Sequence, residues 1–424
     1  MTTVTGAAAS TALRSNRDYL AWLAADTSWQ FGSAIRGFAM TLIAYAVTGS
    51  FSQAGLVATV STVVSMVAMV PGGVLVDRWD RRTSLMVSGV LRLVVYAGAA
   101  VAWWTGALSV AVLYLIGVAS GTVSGLFAAA ADAALKSVVS SEELPRAVAS
   151  NQGRDGAISL AAPPLSGLLM GLSYAPPFRP AALGAPLPTR RPCLTRPDLR
   201  PNPGPRADRP GDPTGWLPQA LAGFTLVVRN PLLRRIIPAL ICVNAGLSAL
   251  YVGITLTLQH RGVPTWRIGL IDSVMAAGML VGAPFAQRLI RAVPTGRLVV
   301  TAFILCSALL IPVSLNQSVP VVVASFGLVG LLIPAINGAM GGYFQSIIPD
   351  ELQGRTLAAL ALVQQSVPAL VPAATGVGLQ YLGAASTLAC TAVLFPMAAV
   401  LMLTHRQLRE LPAPDRWQTA TVEP

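Results

Sequence analysis

Apolar segments of about 20 residues recur along this 424-residue chain, separated by short polar breaks. A hydrocarbon layer of roughly 30 Å takes about 20 residues to cross as a helix, and every backbone polar group must be satisfied within the segment. The mean hydropathy is +0.64, and 54% of the residues are hydrophobic against 11% charged. One water-soluble core cannot bury that much apolar surface. The chain is therefore predicted to be an all-α membrane protein.

The length and apolar character of these segments predict eleven clear membrane spans. They cover residues 19–47, 55–76, 83–104, 107–131, 148–174, 233–258, 268–290, 297–315, 318–345, 356–382 and 385–404. The predicted spans fill most of the chain, so lipid is its first expected partner.

The loops between the spans fall into two sets. Uncharged loops occupy residues 50–54, 105–107, 316–320 and 383–386, whereas loops rich in basic residues occupy 77–82, 136–154, 288–297 and 350–355. By the positive-inside rule the basic loops are cytoplasmic, and both termini are then cytoplasmic as well. The formal net charge of +12 thus reports topology, and no nucleic-acid partner is predicted.

Common catalytic and metal-binding motifs are missing from the sequence. Lys136 is the only lysine, and no G-x-x-x-x-G-K-[ST] loop surrounds it, so the chain carries no P-loop ATPase of its own. HExxH, GxSxG and CxxC are also missing, and the four cysteines form no disulfide framework. We therefore predict no enzyme activity, no cofactor and no metal site.

An internal repeat relates the two parts of the chain at a constant offset of 209 residues. The matched pairs are Gly73 with Gly282, Glu142 with Glu351, Arg146 with Arg355, Pro163 with Pro372, and Gly167 with Gly376. A repeat of this length predicts two six-helix halves in a pseudo-twofold arrangement, with a substrate path between them near the membrane midplane.

Span six is missing or scrambled in this pattern, because only five spans precede the second set of cytoplasmic arginines. The connecting residues 175–213 are rich in proline and arginine, and each arginine near a membrane centre costs about 2.5–3.5 kcal/mol. The composition resembles GC-rich DNA translated out of frame, so we infer a frame error, with a natural disordered loop as the alternative. The predicted organisation is a half at 1–174, an irregular segment and linker at 175–232, a half at 233–410 and a tail at 411–424.

The most specific motif follows span two, at residues 73–82. Its sequence, Gly-Val-Leu-Val-Asp-Arg-Trp-Asp-Arg-Arg, resembles the G-x3-D-[RK]-x-[GD]-R-[RK] loop of the major facilitator superfamily. Gly73 would let helices approach closely, and Asp77 can pair with Arg78, Arg81 or Arg82 or with a neighbouring span. Such a pair would latch one conformation and release in the other, which predicts a gating loop. An ordinary positive-inside loop is the alternative.

A second motif lies in a loop of the C-terminal half, after the predicted span 318–345. Asp350, Glu351, Gly354 and Arg355 follow the order of the P-[DE]-E-x-x-G-R loop. That loop is typical of the proton-linked drug and siderophore exporters, a subfamily that includes enterobactin exporters and macrolide efflux proteins. The resemblance covers nearly the whole chain apart from about 175–213, and it implies the major facilitator fold and transport of a small molecule.

Polar side chains form one stripe on span one and another on span seven. The first contains Asp26, Gln30 and Ser33, and the second contains Asn244, Ser248, Tyr251 and Thr255. Because lipid disfavours polar surface, both stripes are predicted to line the central substrate and proton path. Polar contacts between helices are the alternative interpretation.

Asp26 is the predicted protonation site, because a carboxyl group inside a span is desolvated and its neutral form is favoured. Arg36 is too far along the helix to pair with it and could attract an anionic substrate group or hold an acid from another helix. Asp272 is expected to be a solvated helix terminus, and Arg154 with Asp155 an interfacial pair.

Small and helix-bending residues mark three spans. Residues 162–167 resemble the G-P-x-x-G-G antiporter motif of the superfamily, in which Pro163 and Gly167 would bend the helix and permit close packing. Pro372 and Gly376 are their counterparts in the second half. Gly117, Gly121 and Gly125 repeat every fourth residue in span four, which predicts a tight helix contact.

These features together predict a secondary transporter in the inner membrane. It would export small amphipathic molecules, drug-like or siderophore-like, by alternating access driven by protons, as a monomer. Import of a polar metabolite is the alternative within transport, and a transport-dead membrane protein or pseudogene product is the alternative outside it.

The irregular segment generates the first testable prediction. If residues 175–213 cannot cross the membrane, the chain should be poorly expressed and inactive, and an apolar run of about 20 residues in this gap should rescue both properties. Single cysteines at Ser137 and Ser346, placed after removal of the native ones, should both be protected from an impermeant reagent in the rescued form. Robust transport by the unaltered chain, with both sites cytoplasmic, would show this account to be wrong.

Overall fold

The computed structural model describes residues 16–139, 143–172, 225, 229–348, 353–414 and 417. The chain divides into two compact units. The first contains residues 1–204 and 264–269, and the second contains residues 205–263 and 270–424. The irregular segment at 175–213, on which the prediction about span six depends, lies outside the described residues.

The first unit is built from six helices up to residue 172. They are α1 (Arg17–Thr48), α2 (Phe51–Arg78), α3 (Arg81–Trp104), α4 (Val110–Leu126), α5 (Ala130–Val138) and α6 (Leu144–Leu172). The first two start at side-chain caps, since Asn16 accepts hydrogen bonds from the backbone of α1 and Ser50 does so for α2. Gly49 (φ 64°) ends α1 in the left-handed conformation that glycine adopts without steric cost.

The described residues after 172 form nine further helices. They are α7 (Pro231–His260), α8 (Thr265–Ala292), α9 (Thr295–Leu315), α10 (Val319–Ile347), α11 (Gln353–Ser366), α12 (Val371–Tyr381), α13 (Gly383–Ala392), α14 (Leu394–Thr404) and α15 (Arg406–Arg409). The first residues of α8 cluster with the first unit, and the rest belong to the second.

The predicted spans agree with the helices in most places. Nine helical segments among the described residues are long and apolar enough to cross a membrane, and each coincides with one predicted span. Two of the nine combine neighbouring helices, α11 with α12 and α13 with α14. The predicted span 107–131 is shorter in the structure, because α4 ends at Leu126 and a turn leads into α5. The predicted span 148–174 corresponds to α6, which falls outside those nine because its N-terminal part is polar.

The predicted span 356–382 is interrupted. Residues 367–370 form tight turns between α11 and α12, in which Leu370 N–H donates to the Val367 carbonyl and Val371 N–H to the Pro368 carbonyl. Pro372 then stands in the first turn of α12, where its missing N–H leaves no hydrogen bond unmade. Proline thus restarts the helix here and does not bend a continuous one.

Helices α2 and α4 form the most extensive helix pair of the first unit, and glycines on α4 make it possible. A Cβ on Gly121 would lie 2.5 Å from the Ser61 carbonyl oxygen, and one on Gly125 would overlap the Ser65 carbonyl. The predicted tight contact through Gly121 and Gly125 is therefore confirmed. Gly117 takes part at ordinary van der Waals distance, 3.6 Å from the Val57 carbonyl oxygen.

The second unit packs its α8 and α10 helices in the same way. A Cβ on Gly278 would overlap the Gly327 carbonyl, and one on Gly282 would overlap the Leu331 carbonyl. Gly330 on α10 presses against the Met275 carbonyl of α8. Since Gly330 is the counterpart of Gly121 in the 209-residue repeat, both units use glycine at the same place to join their second and fourth spans.

The start of the tail predicted at 411–424 packs on the second unit. Leu411 is buried, and its carbonyl accepts a hydrogen bond of 3.2 Å from the Gly296 N–H at the start of α9. The Trp417 indole N–H donates to Thr295 Oγ1 at 3.0 Å, and its ring meets that of Tyr343 edge-on.

Glycine packing generates a stability prediction. Gly125→Ala should lower the melting temperature of the detergent-solubilised protein, because its new methyl group has no room, and overpacking typically costs about 1–3 kcal/mol. Gly98→Ala is the matched control, since Gly98 lies inside α3 with nothing within 4 Å of the added Cβ and alanine is the better helix former. Equal melting temperatures for Gly125→Ala and Gly98→Ala would contradict the glycine contact.

Candidate functional site

The polar stripe of α1 is partly accessible along its length. Asp26, Gln30 and Ser33 are all half-buried, whereas Ile35 and Leu42 on other faces of the helix are buried in the first unit. The stripe therefore has the access that a lining surface needs. At its N-terminal end α1 is held by α5, because Asn16 Nδ2 donates to the Val138 carbonyl at 2.8 Å and Trp22 Nε1 to the Ala131 carbonyl at 3.1 Å.

An ionic cluster joins α1 to α6. One guanidinium nitrogen of Arg154 lies 2.6 Å from Asp26 Oδ2 and 2.8 Å from Asp155 Oδ1. The side chains of Arg154 and Asp26 are 13% and 9% exposed, whereas Asp155 is 43% exposed. Arg154 thus pairs with two carboxylates, the buried one of Asp26 and the more exposed one of Asp155. The sequence predicted only the pair with Asp155.

Sequence reasoning missed Arg154 as the partner of Asp26. One signal was available, because Asp26 lies in the third turn of α1 and Arg154 in the third turn of α6, and both helices are predicted to leave the cytoplasm. Equal depth made contact between them possible. The rotation of each helix about its axis, which decides the contact, is not visible in the sequence.

Two further arginines of the first unit lie over aromatic rings of a neighbouring helix. The Arg92 guanidinium of α3 is 3.2 Å from the centroid of the Trp29 ring of α1, and the Arg36 guanidinium of α1 is 5.8 Å from that of Tyr96 of α3. Arg36 thus faces an aromatic ring, and not the acid that was one of its two predicted partners. Arg92 stands alone in an apolar span, so no sequence motif marked it as a functional residue.

The polar stripe of α7 divides into an accessible and a covered part. Asn244, Ser248 and Tyr251 are half-buried, and Asn244 donates to the Leu240 carbonyl of its own helix at 2.8 Å. Thr255 is 2% exposed, so its predicted position on the substrate path is not found within the second unit. The cause is the packing of α12 and α13 over this part of α7, where a Cβ on Gly253 would meet Leu388 of α13.

Tyr251 brings an unexpected carboxyl group to the α7 stripe. Its hydroxyl donates to Asp272 Oδ2 at 2.6 Å, and Asp272 is half-buried in the second turn of α8. Asp272 is therefore not the solvated helix end that the sequence analysis expected. No cation lies within salt-bridge distance of it among the described side chains.

The antiporter-like residues of α6 pack in the first unit. The helix runs without interruption through Pro163 and Pro164, and Ser166 Oγ donates to the Ile35 carbonyl of α1 at 3.0 Å. Gly167 is buried, and its carbonyl accepts from Thr265 Oγ1 at 2.5 Å. The close packing expected of these residues is found. Gly376, the counterpart of Gly167, is buried in α12.

The predicted gating loop is only partly described. A Cβ on Gly73 would meet open space, whereas one on Gly72 would lie 2.5 Å from the Leu126 carbonyl oxygen. The close approach assigned to Gly73 is therefore made by Gly72, one position earlier on the helix. The side chains of Asp77, Arg78, Arg81 and Arg82 lie outside the described part of the structure, as do Asp350 and Glu351 and the side chain of Arg355.

These two units of long apolar helices, the first of which holds an ion pair in its interior, define a polytopic α-helical membrane protein. Across the described residues no group of three or more His, Cys, Asp or Glu side chains could hold a metal ion. A family model described as the Major Facilitator Superfamily matches residues 29–372. The chain belongs to this superfamily and is a transporter by class, as the resemblance of residues 73–82 implied.

Curated relatives are exporters. The enterobactin exporter EntS of Citrobacter koseri is 26% identical over 269 residues, and that of Escherichia coli O127:H6 is 27% identical over 265 residues. These matches cover 63% and 62% of this chain and 62% and 61% of the relatives. The chain thus spans about three fifths of the length of the curated relatives it matches.

Solved structures agree on the fold. A bacterial homologue of the iron transporter ferroportin, in an inward-facing state, matches with a TM-score of 0.68 and 14% sequence identity. The match covers 92% of this chain and 98% of the ferroportin homologue. A D-xylose–proton symporter matches with a TM-score of 0.65 and 14% sequence identity, over 93% of this chain and 98% of the symporter. At this identity the likeness establishes the major facilitator fold and nothing about the substrate.

The ionic cluster generates a stability prediction. Arg154→Gln should lower the melting temperature by several degrees, because Asp26 then stays buried without its cation. In a double-mutant cycle with Asp26→Asn, the coupling between the two residues should be about 1–3 kcal/mol. Arg406→Gln is the control, since it removes an ion pair with Glu410 whose side chains are 80% and 60% exposed. Strictly additive effects of Arg154→Gln and Asp26→Asn would contradict the pair.

Proposed function

We propose that this chain exports small amphipathic molecules, of a drug-like or siderophore-like class, by alternating access in exchange for protons. The observation that carries the proposal is the likeness to curated exporters of enterobactin at 26% and 27% identity. The antiporter-like residues of α6 add support, since Ser166 Oγ bonds to the Ile35 carbonyl of α1 and Gly167 is buried. An inner-membrane monomer with both termini in the cytoplasm is part of the same proposal.

The proton site is proposed at Asp272, with Asp26 in a gating role. Asp26 carries a permanent counter-charge in Arg154 at 2.6 Å, which favours its ionised form. Asp272 is held by the neutral Tyr251 hydroxyl alone, so its protonation breaks no ion pair in the described structure. Exchange of a proton is therefore easier at Asp272, and the Asp26–Arg154 pair is suited to open and close with α1 and α6.

The gating loop is proposed to work beside this pair. Asp77 and Arg81 stand at the end of α2 and the start of α3, where a rotation of either helix changes the distance between the two residues. Asp350, Glu351, Gly354 and Arg355 would form a further loop of this kind in the second unit, at the repeat position of residues 141–146.

Transport in inside-out vesicles tests the proposal. With an acidic lumen, the version with a restored apolar segment at 175–213 should accumulate enterobactin or the dye ethidium in proportion to the pH gradient, and the unaltered chain should accumulate little or none. Asp272→Asn should abolish gradient-driven accumulation, because the amide cannot carry a proton. Glu410→Gln, which removes only an exposed ion pair with Arg406, is the control that should retain it.

The outcomes separate the possible functions. Accumulation with an unchanged pH dependence in Asp272→Asn would move the proton site elsewhere, with Asp26→Asn as the next variant to test. Movement of substrate out of the lumen would indicate import. No movement of either probe by the unaltered or the restored chain would favour a transport-dead membrane protein.

A further inference from the structure

Four side chains of the first unit meet between spans one and three. Trp29 and Arg36 are seven residues apart and share one face of α1, and Arg92 and Tyr96 are four apart and share one face of α3. Each arginine lies over the aromatic ring of the other helix. The helix backbones make little contact, so these side chains bridge the space between them.

The two arginines of this arrangement are incompletely compensated. Arg92 is only 8% exposed, and the Nε atoms of Arg36 and Arg92 are buried without a hydrogen-bond partner. Neither guanidinium has a carboxylate within salt-bridge distance among the described side chains, and Asp26, which lies near enough to interact with the charge of Arg92, is already paired with Arg154. A ring face offsets only part of the cost of burying a guanidinium.

We propose that Arg36, Arg92, Trp29 and Tyr96 form an anion-binding subsite that takes a planar aromatic anion, such as an aromatic carboxylate or a catecholate. Guanidinium groups present a planar fork of donors that matches a carboxylate, and the Trp29 ring offers apolar surface beside it, whereas the buried Tyr96 ring supports Arg36. Trp29 and Arg36 are both half-buried, so part of each side chain is accessible to a ligand.

The subsite rests on the proposed function for its purpose, since it would select anionic aromatic substrates for export. Its geometry also indicates how selection would work. A neutral analogue would leave both guanidiniums uncompensated, and a small inorganic anion would leave the Trp29 ring face unused. The competing explanation is that Arg92 and Trp29 only tie spans one and three together.

Binding of salicylate to the purified full chain, measured by calorimetry without any gradient, tests the subsite. Salicylate should bind at least tenfold more tightly than salicylamide, its neutral analogue. Arg36→Gln and Arg92→Gln should each weaken salicylate binding at least tenfold and leave salicylamide unchanged. Arg92→Lys should give an intermediate loss, because it keeps the charge and loses the fork. The control is Arg297→Gln, an exposed arginine at the start of α9 that should leave binding unchanged.

Two results would overturn the subsite. One is equal binding of salicylate and salicylamide by the wild-type chain. The other is full salicylate affinity in Arg36→Gln, a variant at a half-buried position that keeps the Arg92–Trp29 contact and should fold even if Arg92→Gln does not. A purely structural tie predicts a lower melting temperature for Arg92→Gln with no arginine-dependent binding.

Comparison of the binding measurement with the vesicle assay distinguishes failure of the anion-binding subsite from failure of the proposed export function. Arginine-dependent salicylate binding without accumulation of any probe supports the subsite and counts against export. Proton-driven export of enterobactin that is unaffected by Arg36→Gln and Arg92→Gln supports export and counts against the subsite.

Discussion

Charge inside hydrocarbon is the constraint on which the rest of this structure depends. An ionised side chain in a membrane span needs a partner in its own unit, because neither lipid nor bulk water compensates it there. The described spans meet this requirement in three ways. Arg154 neutralises Asp26 through an ion pair, Arg36 and Arg92 lie over aromatic rings, and Asp272 accepts a hydrogen bond from Tyr251. Arg36 and Arg92 keep a positive charge without a counter-ion among the described side chains, and for this reason we place an anionic ligand there.

Close helix packing supports these pairs. Without a hydrophobic force between helices in lipid, their association depends on van der Waals contact and hydrogen bonds, and glycine permits the closest approach. The first unit joins α2 to α4 through Gly121 and Gly125, and the second joins α8 to α10 through Gly278 and Gly330. Helices locked in this way hold their depth and rotation. A carboxylate and a guanidinium on different helices can then stay within 3 Å of each other, as Asp26 and Arg154 do.

Helix α1 carries both elements that we assign to transport in the first unit. Asp26 lies in the third turn of α1 and pairs with α6, whereas Arg36 lies nearly three turns further and faces α3. An anion at Arg36 and Arg92 would therefore bind to the same helix that carries the Asp26–Arg154 pair. The second unit contributes a carboxyl group with no counter-ion, a different chemical environment from that of Asp26.

The sequence by itself determined the membrane class, nine of the spans and the repeat of two halves, because hydropathy and a constant residue offset are properties of the linear chain. It also indicated the family, through the ordered Gly, Asp and Arg residues of 73–82. Only the tertiary structure decided which polar groups meet. Arg154 and Asp26 are far apart in the chain, as are Arg92 and Trp29, and their contact depends on how each helix is rotated about its axis. One position along a helix is a rotation of about 100°, and for that reason Gly72 makes the contact that the sequence pattern assigned to Gly73.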